Sequence, residues 1–250
     1  MYRSVKIFLI MSVVFTIYVV VMGRKPIAVG QSGDKQNTID ESQFPIAEET
    51  TSEPPTPTER DKKNKKEKKY GRYKDTIGPG VTVASFHYEL PPGFPTLPVA
   101  QSDAVVIGEV TDAKAYVTSD KETVYSEFNV HIVKILKDDS QLPLPQSGSI
   151  VAERPGGRVH YPSGHIGRFS IAGWGMPQPT RQYVLFLTRN NDGETCHIVT
   201  GYELRDGRIF PLDRTTSSDT DFDSYINMDE AAFFKRLDAA ISTSSSVSPH

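Results

Sequence analysis

Residues 103–137 place the strongest constraint on the fold, because they contain two strand-like arms of alternating apolar residues joined by a short polar turn. The first arm is DAVVIGEVT and the second is ETVYSEFNVHIVKILK. In the second arm Val124, Phe128 and Val130 share one face at a period of two, which is the pattern of a half-buried strand. Towards Leu136 both faces become apolar, so this end must be covered on both sides. The pattern predicts a long β-hairpin in a curled sheet, either a barrel or a tight sandwich.

Later segments predict further strands and one helix. The segment RQYVLFLTR is strongly apolar, and NNDG after it is a clear signal for a tight turn. Near the C-terminus the period changes: Asn227 and Glu230 form a capping box, and Phe233 and Leu237 lie on one helical face. The sequence therefore predicts a mainly β fold, a small antiparallel β-barrel, with a C-terminal amphipathic helix over about residues 228–241 docked against it.

The N-terminal segment has the composition of a membrane-spanning helix. Residues 7–22 contain no charged side chain, and the stretch 5–23 would be about 28 Å long as a helix at ~1.5 Å per residue. That length spans a hydrocarbon core of ~30 Å, so residues 1–25 are predicted as a transmembrane anchor. The alternative is a signal peptide that ends at Gly30. Basic residues on both sides of the segment leave its orientation open.

Residues 26–75 have few large apolar side chains and much Glu, Ser, Thr, Pro and Lys, which is typical of a disordered linker. The end of this linker is basic. One interpretation is a solvated spacer; the other is an electrostatic attachment to an anionic envelope polymer, a lipid or a protein partner. Nucleic acid fits less well, because Tyr70 and Tyr73 are too few for base stacking. The lysines of this basic run are Lys62, Lys63, Lys65, Lys66, Lys68 and Lys69.

These patterns divide the chain into four predicted parts. The anchor is followed by the linker, by a folded β domain and by a Ser-rich tail that is expected to be disordered. The boundaries are 1–25 for the anchor, 26–75 for the linker, 76–241 for the β domain with its C-terminal helix, and 242–250 for the tail.

Several classes of chemistry find little support in the residues. Cys196 is the only cysteine, which excludes an internal disulfide and the zinc sites that use two or more thiolates. His160 and His165 lie five residues apart without a third plausible ligand nearby, and Ser163 lacks the flanking glycines of a nucleophile elbow. The sequence therefore predicts no catalytic residue, metal site or cofactor. A hydrolase or metal-dependent enzyme built on the two histidines stays open as an alternative.

The segment from residue 154 to residue 174 concentrates the candidate binding residues. Arginine forks match carboxylate, sulfate or phosphate oxygens in pairs, and the interspersed glycines let the backbone approach a ligand closely. Trp174 would offer a flat apolar wall for a sugar ring or a partner side chain. In the alternative interpretation the arginines are solvated, the glycines only turn the chain, and the tryptophan fills the barrel mouth. The candidate ligand-binding residues are Arg154, Arg158, His160, His165, Arg168 and Trp174.

The segments SDAVVIGEV, VYSEFNVHIVKILK, RPGGR and YVLFLTRNNDG, in this order after a Pro-rich arm, resemble a group of uncharacterised bacterial exported proteins. The resemblance covers about residues 94–213. It implies a small β-barrel of OB-like, loosely netrin-like outline and an exported location, and it implies no activity or catalytic residues. Together with the anchor, it predicts a single-pass membrane-anchored envelope protein whose extracytoplasmic domain is a non-catalytic ligand- or partner-binding module. An electrostatic adaptor that uses the lysine run is the other alternative.

Overall fold

The computed structural model of the chain describes residues 44–48, 57–73, 77–78, 80–87, 94–118, 120–138, 143–190, 193–214 and 221–246. These residues form strands β1 (Ile46–Glu48), β2 (Val83–Phe86), β3 (Ala104–Val117), β4 (Val124–Asp138), β5 (Ser149–Pro155), β6 (Gly157–His160), β7 (Ile166–Ile171), β8 (Gln182–Arg189), β9 (Thr195–Arg205), β10 (Arg208–Pro211) and β11 (Met228–Asp229). The helices are α1 (Pro57–Tyr70) and α2 (Glu230–Ser246), with short 3-10 turns at Gly71–Tyr73 and Phe222–Tyr225.

The strands form two sheets, and the prediction of a mainly β fold is confirmed. The larger sheet has the order β11-β10-β9-β5-β4-β3-β8, and β9 also pairs with β8. Its pairings are antiparallel except for that of β5 with β9. The smaller sheet has the order β1-β6-β7-β2, in which the two outer strands run parallel to their neighbours.

Strands β3 and β4 form the long antiparallel hairpin that the alternating pattern predicts. Their register shifts at three places, one of them between Ile107 and Gly108. A Cβ atom at Gly108 would lie 2.4 Å from Val130 Cγ1, so a side chain there would collide with the facing strand. The glycine therefore allows the close approach at this irregularity of the long hairpin.

The larger sheet buries apolar side chains on both faces. One cluster includes Phe128, Val130 and Leu185, all fully buried. On another face α2 packs through Phe233 and Leu237, which are also fully buried. Burial of each large apolar side chain stabilises the fold by roughly 1.5–3 kcal/mol, so the helix is held by an apolar contact.

Part of the predicted disordered linker packs on the β domain. Strand β1 pairs with β6, and α1 with its following turn buries Tyr70 and Tyr73, each 1% exposed. The structure differs here from the disorder predicted over 26–75. The physical reason is that the average composition does not show how the side chains are arranged. These tyrosines share a helical face with Lys66 and Lys69, and both lysines contact the carboxylate of Glu153.

The prediction of a single-pass membrane protein is corrected by the structure. In the described part of the chain, neither helix has the length and apolar character needed to cross a membrane. Helix α1 is mostly lysine and other polar residues, and α2 carries Ser, Thr and charged side chains. The predicted anchor at residues 1–25 lies outside the described residues. The function predicted with it, a membrane-anchored binding module, is corrected for the same reason.

Candidate functional site

Helix α1 covers a polar face of the larger sheet, and the contacts converge on Glu153 of β5. The Glu153 side chain has no exposed surface. Lys66 Nζ forms an ion pair with its Oε1, and Lys69 Nζ lies 3.1 Å from its Oε2. The Tyr70 hydroxyl donates a hydrogen bond of 2.7 Å to the same Oε2, and Asn190 Nδ2 donates another of 3.2 Å. One carboxylate is thus held by two cations and two neutral donors.

These partners offset a large desolvation cost. A carboxylate moved out of water without partners costs several kcal/mol, and a buried ion pair is tolerated when hydrogen bonds satisfy its remaining positions. The lysine side chains lose most of their own exposure, to 12% for Lys66 and 27% for Lys69. Removing one partner from such a buried pair is strongly destabilising, which makes α1 and the sheet face depend on each other.

Glu127 of β4 is the second carboxylate of the covered face. It is the register partner of Glu153, and its Oε1 lies 3.8 Å from Lys66 Nζ. Burial raises the pKa of the Glu127 carboxyl, while Lys66 and Lys114 oppose that rise. Two neighbouring carboxylates therefore face two lysines. We call Lys66, Lys69, Glu127 and Glu153 the lysine–carboxylate cluster.

A stack of three tyrosines runs beside the lysine–carboxylate cluster. The rings of Tyr70 and Tyr125 lie 4.9 Å apart at 9°, and those of Tyr125 and Tyr116 lie 5.4 Å apart at 19°. Lys66 Nζ lies 5.7 Å from the centre of the Tyr125 ring, within cation–π range. Burial raises the pKa of both Tyr70 and Tyr125. Tyr70 therefore stays a neutral phenol at ordinary pH, and its hydroxyl can donate a hydrogen bond to Glu153.

An aromatic contact continues the interface beyond α1. The Tyr73 ring meets the Trp174 ring edge-on at 6.1 Å, and Trp174 lies 6.5 Å from the His197 ring. Burial lowers the pKa of His197 to about 3, and the positive charges of Lys69 and Arg154 add to this effect. His197 is therefore a neutral imidazole at pH 7, and Lys69, one of the charges that lower its pKa, belongs to α1.

Arg154, a candidate ligand-binding residue of the sequence analysis, is buried within the fold and not solvated. It lies two residues after the core residue Ala152 on β5, on the same face of the strand, and is 0% exposed. Its Nη2 lies 2.7 Å from Asp213 Oδ2, and its Nη1 donates a 2.8 Å hydrogen bond to the carbonyl of Gly175. Its guanidinium lies 4.7 Å from the centre of the Trp174 ring. These contacts use the arginine within the fold.

The other candidate residues lie on or beside the smaller sheet. Arg158 and Arg168 are register partners on β6 and β7, and Arg158 Nε donates a 2.8 Å hydrogen bond to the carbonyl of Phe44. His160 Nδ1 lies 3.1 Å from Glu48 Oε2. His165 Nε2 lies 2.9 Å from the carbonyl oxygen of Val81. The structure thus brings Arg154 into contact with Trp174 and places Arg158 opposite Arg168 on neighbouring strands. Each of the two histidines has a different partner.

The covered face itself escaped the sequence prediction, although two signals for it are present. Residues 66, 69, 70 and 73 follow the spacing of one helical face. Tyr125 and Glu127 lie on the polar face of the predicted strand β4. Neither signal reveals that the two surfaces meet.

Comparisons with known proteins leave the covered face to be interpreted from its own geometry. No family model matches the chain, and no curated protein matches it. Among the described residues, no three His, Cys, Asp or Glu side chains are grouped so that they could hold a metal ion.

Proposed function

We propose that the β domain recognises a segment that carries lysine and tyrosine, and that helix α1 of the same chain is the occupant in this structure. The observation that carries the proposal is the burial of Glu153 between two ammonium groups and a tyrosine hydroxyl, all from one side of α1. A carboxylate that is covered without partners is strongly disfavoured, so an occupant that covers Glu153 has to supply cations or hydrogen-bond donors. The proposal includes neither the membrane anchor nor the anionic ligand predicted from the sequence.

The strand pairings support an OB-like barrel as the architecture of this domain. Strands β3, β4, β5, β9 and β8 pair in that order, β8 pairs again with β3, and the β5–β9 pairing is parallel. In OB-type barrels the ligand face lies on the second and third strands and the loops beside them. Helix α1 lies on the corresponding β4 and β5, and Lys62 reaches Glu194 between β8 and β9. The occupied face therefore corresponds to the ligand face of that architecture.

The composition of α1 fits a segment that becomes helical when it docks. Lys62 and Lys66 are like charges four residues apart, as are Lys65 and Lys69, and such pairs destabilise an isolated helix. A helix of 14 residues is marginal in water even with good helix formers. Carboxylates on the covered face reduce this repulsion, so docking and helix formation support each other.

The test is the substitution Glu153→Gln in the full chain, which removes the charge and keeps the shape. We expect α1 to leave the face, because its two lysines lose their shared partner. Trypsin should then cleave within residues 57–73 much faster than in the unsubstituted protein. The pKa of His197, followed by NMR of the imidazole, should rise from about 3 towards its ordinary value of 6.5 as burial and the charge of Lys69 are lost.

The matched control is Glu194→Gln, which also removes a carboxylate that contacts α1. Glu194 and its partner Lys62 are 69% and 64% exposed, so this change should leave both readouts unaltered. A second variant, Lys66→Ala with Lys69→Ala, removes the α1 side of the same contact and leaves the residues of the sheet unchanged. Equal trypsin protection of residues 57–73 in all these proteins would refute the proposed function.

A further inference from the structure

Resting on the function proposed above, we infer that α1 is an internal competitor and that the face it covers binds a matching segment of a second polypeptide. The matching segment is a helix with two lysines three residues apart, followed directly by tyrosine, as in Lys66, Lys69 and Tyr70. The proposed function requires only that α1 occupies the face. This inference also requires that α1 can leave the face and that a segment from another chain can take its place.

The contacts of α1 are of a kind that a separate segment can reproduce. The hydrogen bonds and ion pairs described between α1 and the sheet join side chains to side chains. Further contacts include ring stacking between Tyr70 and Tyr125 and the placement of Lys66 over the Tyr125 ring. A separate helix with the same side chains at the same spacing would satisfy the face equally well.

The chain holds α1 beside its face from both ends. On the N-terminal side β1 pairs with β6, and Phe44 and Ala47 are 2% and 3% exposed. On the C-terminal side Tyr73 is 1% exposed and Ile77 is 6% exposed. An α1 that detaches between these fixed points stays close to the face, so its effective concentration is high. A second polypeptide therefore binds only to the fraction of molecules in which α1 is detached, and its apparent affinity falls by that fraction.

The face selects its occupant by charge as well as by shape. Glu127 and Glu153 together match two ammonium groups, and the stacked rings of Tyr116 and Tyr125 offer a flat surface for one more tyrosine. A segment that carries acidic residues at the lysine positions would place like charges in a desolvated contact. The partner class is therefore a basic, tyrosine-bearing segment of a protein.

The experiment uses the full chain and a fluorescein-labelled peptide with the sequence of residues 57–73 as the probe. Fluorescence anisotropy should report weak binding to the unsubstituted protein. Lys66→Ala with Lys69→Ala weakens α1 and leaves the face unchanged, so its affinity for the peptide should rise at least about tenfold. The matched control is Lys65→Ala with Lys68→Ala, which removes two lysines at the same spacing from the exposed side of α1 and should show no rise. A peptide with alanine at positions 66 and 69 should bind to none of these proteins.

The outcomes separate this inference from the function on which it rests. If trypsin reports that α1 is released in Lys66→Ala with Lys69→Ala, but the peptide gains no affinity, the competitor inference is overturned and the proposed function stands. If α1 stays protected in that variant, the lysine–carboxylate cluster does not hold it, and both are overturned. A tenfold gain with released α1, absent from the matched control, supports the inference.

Discussion

Glu153 and Arg154 are neighbours on β5, both are completely buried, and yet their charges are compensated in different ways. Arg154 is compensated within the sheet domain, by Asp213 and by the carbonyl of Gly175. Glu153 is compensated by a separate helix that the chain lays over the face. In this chain one buried charge has its partners in the same core and supports the fold, whereas the other has partners on a separate segment, which is the basis of the proposed docking site.

The largest effect is expected at Arg154, the buried charge whose partners lie within the core. Arg154→Ala leaves the carboxylate of Asp213, 4% exposed, without its cation, and removes the guanidinium from Trp174. We expect the free energy of unfolding to fall by about 3–5 kcal/mol, as for a buried pair that loses one partner. Denaturant unfolding measures this change. The control is Arg158→Ala at a half-buried position, and a loss below about 1 kcal/mol for Arg154→Ala would mean that its ion pair is not needed for the fold.

A smaller effect is expected from the hydrogen bond that Tyr70 donates to Glu153. Tyr70→Phe keeps the ring that stacks on Tyr125 and removes only the hydroxyl. Hydrogen bonds to charged groups contribute roughly 1.5–3 kcal/mol, and we expect docking of α1 to weaken by that amount. Hydrogen exchange of the α1 amides measures it. Tyr116→Phe, at the half-exposed end of the same stack, is the control, and equal exchange in both variants would contradict the assignment.

Acidic pH tests the His197 environment with a defined sign. Because burial lowers its folded-state pKa to about 3, the unfolded chain binds a proton below pH 6.5 that the folded chain does not. Stability from this group is complete above pH 6.5 and falls with decreasing pH, by up to about 1.4 kcal/mol per unit, or about 2 kcal/mol at pH 5. His197→Gln should flatten the dependence of unfolding free energy on pH between 6.5 and 5. An unchanged slope in that variant would exclude His197 as its source.

The smallest effect is expected at the exposed edge of the α1 interface. Lys62 Nζ lies 3.4 Å from Glu194 Oε2, and both side chains are mostly exposed to solvent. Exposed ion pairs contribute about 0–1 kcal/mol, so Lys62→Ala should change the docking of α1 by less than about 1 kcal/mol. The same amide exchange measurement applies. A loss as large as that of Tyr70→Phe would place the edge, not the buried cluster, at the centre of the interface.

The sequence predicted the site only in part, because each sequence pattern covers only a short stretch of the chain. In β5 Arg154 precedes Pro155 and two glycines, which suggests an exposed loop. It lies two residues after Ala152, however, and therefore on the same core-facing side of the strand. In α1 the density of lysine suggests a solvated spacer, although Lys66 and Lys69 fall on one helical face. A pattern within a short stretch shows composition and periodicity. It does not show which other part of the protein will pack against that face of the helix or strand.

By itself the sequence determined the elements that depend on neighbours in the chain: the β3–β4 hairpin through its period of two, and the apolar face of α2 through Phe233 and Leu237. Only the tertiary structure decided the covered face, because Lys69 and Glu153 are 84 residues apart. A charge can be buried only beside its partner, and that partner is fixed by how β4, β5 and α1 pack. The hydrophobic period is therefore a local property, whereas compensation of a buried carboxylate is a property of the assembled fold.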